Sequence, residues 1–180
     1  MTVPVYKVLL IGEPNVGKSS IIRRLLLGEF DEDYQATTGV DLSAVAVNVD
    51  AFTPVILTVI DLGGQEHFAT LRTKYYRGAH YSVLVYDISD TASFECLPTW
   101  YAGILQNLDL KGTGHESLPG VLIGNKSDLE SSRQVSAKEG RLYAELIGWS
   151  FWETSAKTGK NIWQIFNRIA KEIYACHPPA

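Results

Sequence analysis

The chain has 180 residues, 46% hydrophobic and 20% charged, with a formal net charge of −4 at pH 7. That length and composition suit a single packed domain, residues 1–180, and exclude the polar, highly charged class of disordered chains. Lysines and arginines are scattered and outnumbered by acids, so the basic footprint of a nucleic-acid binder is missing and no nucleic-acid partner is expected.

Cys96 and Cys176 lie far apart, without a CxxC pair or a clustered histidine, which argues against a disulfide framework or a zinc site and fits a reducing, cytoplasmic setting. The apolar run near the start is too short to span a bilayer and reads as a first strand. The closing stretch YACHPPA lacks the Cys-a-a-X order of a prenylation signal. The expectation is a cytoplasmic monomer, peripheral on a membrane only if a lipidated tail is missing from this sequence.

In chain order, an apolar run over 6–12 predicts a strand, and GEPNVGKSS (12–20) then opens a helix over 18–28. Strands over 41–49 and 54–62 are separated only by DAFT, too short for a parallel crossover, so they form an antiparallel hairpin at a sheet edge. A helix over 66–77, a strand over 81–88 and a helix over 91–108 follow; 107–119, with two glycines and a proline, reads as an exposed loop. The remainder is a strand over 120–125, a helix over 136–147 opened by a Ser136–Glu139 capping box, a strand over 149–155 and a helix over 160–176. Ile162, Ile165, Phe166, Ile169 and Ile173 form the buried stripe of that last helix. The fold class is α/β, a six-stranded, mostly parallel sheet with one antiparallel edge strand and five helices.

The stretch at 12–20 matches GxxxxGK[ST] between a strand and a helix, the setting of a phosphate-cradling loop. Glycine lets backbone approach an anion, and the helix start offers unpaired N–H groups. Asn15, Val16, Gly17, Lys18, Ser19 and Ser20 form the phosphate-binding set; Lys18 reaches the β- and γ-phosphates and the Ser19 hydroxyl can ligate Mg²⁺. Pro14 brings no N–H to the loop and changes the space near the γ-phosphate.

ATPases, kinases and GTPases all use such a loop. NKSD, with Asn125, Lys126 and Asp128, sits at the end of a buried strand, where open α/β sheets bind ligands. An aspartate there accepts from guanine N1–H and N2–H₂, whereas adenine would leave the carboxylate unpaired. Ser155-Ala156-Lys157 ends the last strand, where the Ala156 N–H can donate to guanine O6.

The set GEPNVGKS, DLGGQE, NKSD and ETSAK resembles the Ras superfamily of small GTPases over nearly the whole chain, and YYRGA, SVLVYDIS and TTGVDL resemble its Rab branch. The resemblance implies the P-loop small GTPase fold, bound GTP or GDP with Mg²⁺, and a nucleotide-dependent switch in membrane or vesicle trafficking. It implies slow hydrolysis and partners that exchange nucleotide, activate hydrolysis or act as effectors. It assigns Thr37, with Thr38 as competitor, to Mg²⁺ and the γ-phosphate, Asp61 to Mg²⁺, the Gly64 N–H to the γ-phosphate, and Gln65 to the attacking water. Gln65, Lys18 and Gly64 are then the catalytic set, and Phe30 and Tyr34 the aromatics near base and phosphates.

Some positions depart from the Rab pattern. Ile60 stands where that branch carries tryptophan, Gly63 where it carries alanine, giving an Arf-like double glycine, and Leu42 where it carries phenylalanine. Pro14 and the altered DLGG keep a second reading open, a GTP-binding scaffold with little hydrolysis, while a nucleotide kinase would need an arginine-rich lid that is missing. Trp100, Trp149, Trp152 and Trp163 read as core residues, and His67, His80, His115 and His177 show no ligand spacing.

Overall fold

Val8 and Leu10 face one side of β1 (Val5–Ile11), Leu9 and Ile11 the other, and all four are fully buried. A strand covered on both faces belongs inside a sheet with helices on each side, and the computed structural model has that arrangement. It describes residues 3–31, 39–63, 74–107 and 118–179.

After β1 come α1 (Lys18–Leu27), β2 (Val40–Asn48), β3 (Pro54–Leu62), β4 (Tyr81–Asp87), α2 (Thr91–Glu95), α3 (Leu97–Asn107), β5 (Gly120–Asn125), α4 (Ala137–Leu146), β6 (Ser150–Glu153) and α5 (Ile162–Cys176). The six strands lie in the order β2-β3-β1-β4-β5-β6. β2 is antiparallel to β3, in register from Val40 opposite Leu62 to Asn48 opposite Pro54, and every other pair is parallel. The expected hairpin at the sheet edge and the mostly parallel sheet are both present.

Period-two alternation sends the strand side chains into two cores. Tyr6, Val8, Val83 and Val121 pack with Ile21 and Leu25 of α1 and the predicted stripe of α5. On the other face Leu9, Leu84 and Leu122 pack with Trp100 and Ile104 of α3, Ala144 of α4, and Trp149. The Ser136–Glu139 capping box opens α4 as expected.

The helix expected over 91–108 is two helices, α2 and α3, parted at Cys96. Pro98 has no N–H to give to the Phe94 carbonyl, so an α-helical ladder cannot run through. Trp163 corrects a second expectation. It is 47% exposed, because its neighbours Ile162 and Ile165 occupy the inward face of α5. Trp100 and Trp149 are buried, and Trp152 is half-buried. Of the segment 66–77 only 74–77 is described, with 74–76 helical, and most of the loop 107–119 lies outside the described residues. No described helix is long and apolar enough to cross a membrane.

The parallel strands all end at one rim of the sheet. The connection after β1 runs to one side and that after β4 to the other, so the segment following β1 lies where the chain direction divides, the usual ligand crevice of an open α/β sheet.

Candidate nucleotide-binding site

Two glycines shape the loop between β1 and α1. Gly12 has φ 144°, and a Cβ there would lie 2.1 Å from the Val85 carbonyl oxygen; at Gly17, φ 93°, it would lie 2.3 Å from Asn125 Nδ2. Gly17 caps α1 without a side-chain hydrogen bond, and the N-terminal turn of a helix is a setting that suits an anion. Lys18 is buried, and its Nζ donates to the carbonyls of Gly12 at 2.9 Å and Glu13 at 2.8 Å. Val16 is buried beneath the loop and Ser20 half-buried on α1, while Asn15 holds the left-handed conformation at φ 64°.

The Ser19 hydroxyl donates to Asp61 Oδ2 at the end of β3. Asp61 is 1% exposed, and its other oxygen, Oδ1, is buried and accepts no hydrogen bond. Burial raises its pKa above the usual carboxylate range, against the opposing pull of the Ser19 hydroxyl and the Lys18 charge. A bare buried carboxylate oxygen beside a hydroxyl fits a small hard cation that takes few protein oxygens, as Mg²⁺ does. Among the described residues no three His, Cys, Asp or Glu side chains assemble a fuller metal cage.

Asn125, 1% exposed, works within the protein. Its Nδ2 donates to the Val16 carbonyl at 2.9 Å and its Oδ1 accepts from the Thr154 hydroxyl at 2.9 Å, binding three loops together. Lys126, at φ 63°, places Nζ 2.7 Å from the buried Asp87 carboxylate at the end of β4. Asp128 is exposed, and its Oδ1 accepts from the Ser155 hydroxyl at 2.5 Å. The Ser155 and Ala156 side chains are buried and Lys157 is exposed; the Ala156 N–H makes no hydrogen bond with a described residue.

The rim thus brings Asn15 to Ser20, Asp61, Asn125, Lys126, Asp128 and Ser155 to Lys157 together. Tyr34, Thr37, Thr38, Gly64 and Gln65 lie outside the described residues. Phe30 packs against the core shared by α1 and α5. Gly63 is buried, and its N–H donates to the Gly39 carbonyl at 2.9 Å, continuing the β2–β3 pairing. Four participants escaped sequence reading: Asp87, Thr154, Arg24, and Glu13, whose carboxylate accepts the Trp100 indole N–H at 2.7 Å. An acid ending a parallel strand could have flagged Asp87; Arg24 had no local signal.

A model of the Ras family matches residues 7–175. The chain is 38% identical over 167 residues to "GTP-binding protein ypt2" of Schizosaccharomyces pombe, covering 93% of this chain and 80% of that protein. It is 39% identical over 172 residues to "Ras-related protein Rab5" of Nicotiana tabacum, covering 96% and 82%. Against "Ras-related protein Rab-13" of Mesocricetus auratus the identity is 39% over 168 residues, covering 93% and 79%.

The chain belongs to the Ras family. It is a Rab-like small GTPase, and membership implies binding of GTP and GDP together with regulators and effectors in general. For a Ras-family chain, Ile60 takes an instructive place: it is buried in the core shared with α3, an aliphatic side chain where the Rab pattern has an indole. Leu42 is 56% exposed on the edge strand β2, and Tyr75 is half-buried.

Proposed function

We propose that this single G domain binds GTP and GDP with Mg²⁺, hydrolyses GTP slowly, and acts as a nucleotide-dependent switch in membrane or vesicle trafficking, from the cytoplasm or the surface of a membrane. The observation that carries the reading is the pairing of the Ser19 hydroxyl with one oxygen of Asp61, whose other oxygen is bare, beside a buried Lys18. Those groups suit a polyphosphate and its cation.

In this reading the amides from Asn15 to Ser20 bind the phosphates. Lys18 transfers its hydrogen bonds from the Gly12 and Glu13 carbonyls to the β- and γ-oxygens, and Ser19, Asp61 and Thr37 hold the metal. When bound, Mg²⁺ neutralises charge on the phosphates. Gln65 orients the attacking water and the Gly64 N–H holds the γ-phosphate. Positioning and charge stabilisation do most of the work in phosphoryl transfer. Loss of the γ-phosphate releases Thr37 and Gly64, and partners that distinguish the two forms read the change. Asp128 and the Ala156 N–H select guanine, with Lys126, Asn125, Ser155 and Lys157 shaping their surroundings, and Phe30 and Tyr34 flank the nucleotide.

Single-turnover hydrolysis tests the reading. Mg²⁺-dependent phosphate release that falls in Gln65→Leu supports the switch enzyme, while no release from wild type gives preference to the scaffold reading, for which Pro14 in the phosphate loop is the motive. Asp128→Asn should move preference from guanine toward xanthine, and unchanged guanine affinity would remove Asp128 from its role.

A further inference from the structure

Arg24 lies in the last turn of α1, on the helix that begins with Lys18 and Ser19. Its guanidinium donates to three carbonyls: Nε to Ala156 at 2.8 Å, Nη2 to Lys157, and Nη1 to Gly28 at 2.5 Å. The Gly28 N–H, at the C-cap, donates back to the Arg24 carbonyl at 3.0 Å, so the last turn of the helix also grips the loop after β6. A Cβ at Gly159 would lie 3.7 Å from Arg24 Cδ, which places the loop against the arginine stem as well as its head.

The same loop is tied from its other side. The Ser155 hydroxyl donates to Asp128 at 2.5 Å and accepts from the Thr158 N–H at 3.0 Å, and the Ser155 carbonyl accepts from the Gly159 N–H at 2.8 Å. In a planar trans peptide the Ala156 N–H points opposite to the Ser155 carbonyl, so it is turned away from the Gly159 contact. Arg24 holds the two following carbonyls, which belong to the next two peptide planes of the loop.

We infer that Arg24 is a positioning residue for base recognition: through the Ala156 and Lys157 carbonyls it aims the Ala156 N–H at position 6 of the purine. The inference rests on the guanine reading above. The planar guanidinium fork reaches several acceptors in fixed directions, which a lysine ammonium on a flexible stem does not reproduce. Arg24 also couples the base loop to the helix that presents the phosphate-binding residues, so the two halves of the nucleotide are held by one rigid piece.

The test uses purified full chain and three nucleotides: GDP, 6-thioguanosine diphosphate, which puts a weakly accepting sulfur at position 6, and inosine diphosphate, which lacks the 2-amino group. Wild type should prefer GDP over the thio analogue by about tenfold, one hydrogen bond's worth. In Arg24→Ala that preference should collapse to near unity, while the preference for GDP over inosine diphosphate, read by Asp128, persists. Arg24→Lys should fall between, and it keeps the comparison available if the alanine variant unfolds. A mere helix cap would lower the melting temperature and leave both preferences intact; that result overturns the inference. Wild type indifferent to both analogues would overturn the guanine reading and this inference with it.

Discussion

Trp100 of α3 donates its indole N–H to Glu13 at 2.7 Å, and the backbone carbonyl of that same Glu13 accepts from Lys18 at 2.8 Å. The helix and the phosphate loop are therefore joined through one residue. Trp100→Phe keeps most of the ring and removes the donor, so it should cost about 1 kcal/mol of stability and speed release of a fluorescent GDP analogue several-fold. Glu13→Gln retains an acceptor and should release nucleotide more slowly than Glu13→Ala. Equal release rates in wild type and Trp100→Phe would show that the contact is passive.

Asn125 is a second junction, since its amide satisfies both Val16 and Thr154. Asn125→Ala leaves the Val16 carbonyl and the Thr154 hydroxyl buried without that partner, a penalty of about 2–4 kcal/mol. Urea unfolding of the GDP-loaded protein should show the loss, and GDP affinity should fall in parallel. A variant that loses affinity at full stability would mean that Asn125 touches nucleotide directly.

Gly12 and Gly148 both have positive φ, but a Cβ at Gly148 meets open space while one at Gly12 runs into the Val85 carbonyl. Gly148→Ala should cost about 1–2 kcal/mol from backbone strain alone. Gly12→Ala should abolish nucleotide binding or the fold, as thermal melting and nucleotide retention will report.

His80 supplies a pH dependence. Its Nδ1 accepts the Lys7 N–H at 2.9 Å, and its ring meets Tyr6 and His177 edge-on. Burial, with the charges of His177 and Lys7, holds its pKa below the usual imidazole value of 6.5. The unfolded chain therefore binds more protons just below that value, so this contribution to stability is full above it and is lost as pH falls through the lower folded pKa. Melting temperature should drop from pH 7.5 toward pH 5, and His80→Asn, whose Oδ1 can accept from Lys7, should flatten the drop. An unchanged slope would dismiss His80 as its source.

Most of the architecture was legible because buried parallel strands leave continuous apolar runs and amphipathic helices leave stripes such as Ile162 to Ile173. The break at Cys96 has a local cause in the sequence, Pro98, which has no N–H for the helical ladder. Trp163 misled because residue type predicts burial less well than helical position, and its neighbours already fill the inward face. In the candidate site, the GxxxxGK[ST], NKSD and SAK stretches stand out in the sequence because each has a fixed spacing after an apolar strand, and the fold brings them to one rim. Arg24, Glu13 and Asn125 act across more than eighty residues of sequence, through carbonyls and side chains whose meeting depends on sheet order, and no local spacing encodes that.

Titration calorimetry with GDP and ADP in magnesium buffer tests the central claim, that the rim formed by these loops is a guanine nucleotide site. The account predicts tight uptake of GDP with ADP weaker by about 10⁴-fold. Equal affinities, or no uptake of GDP, would contradict it.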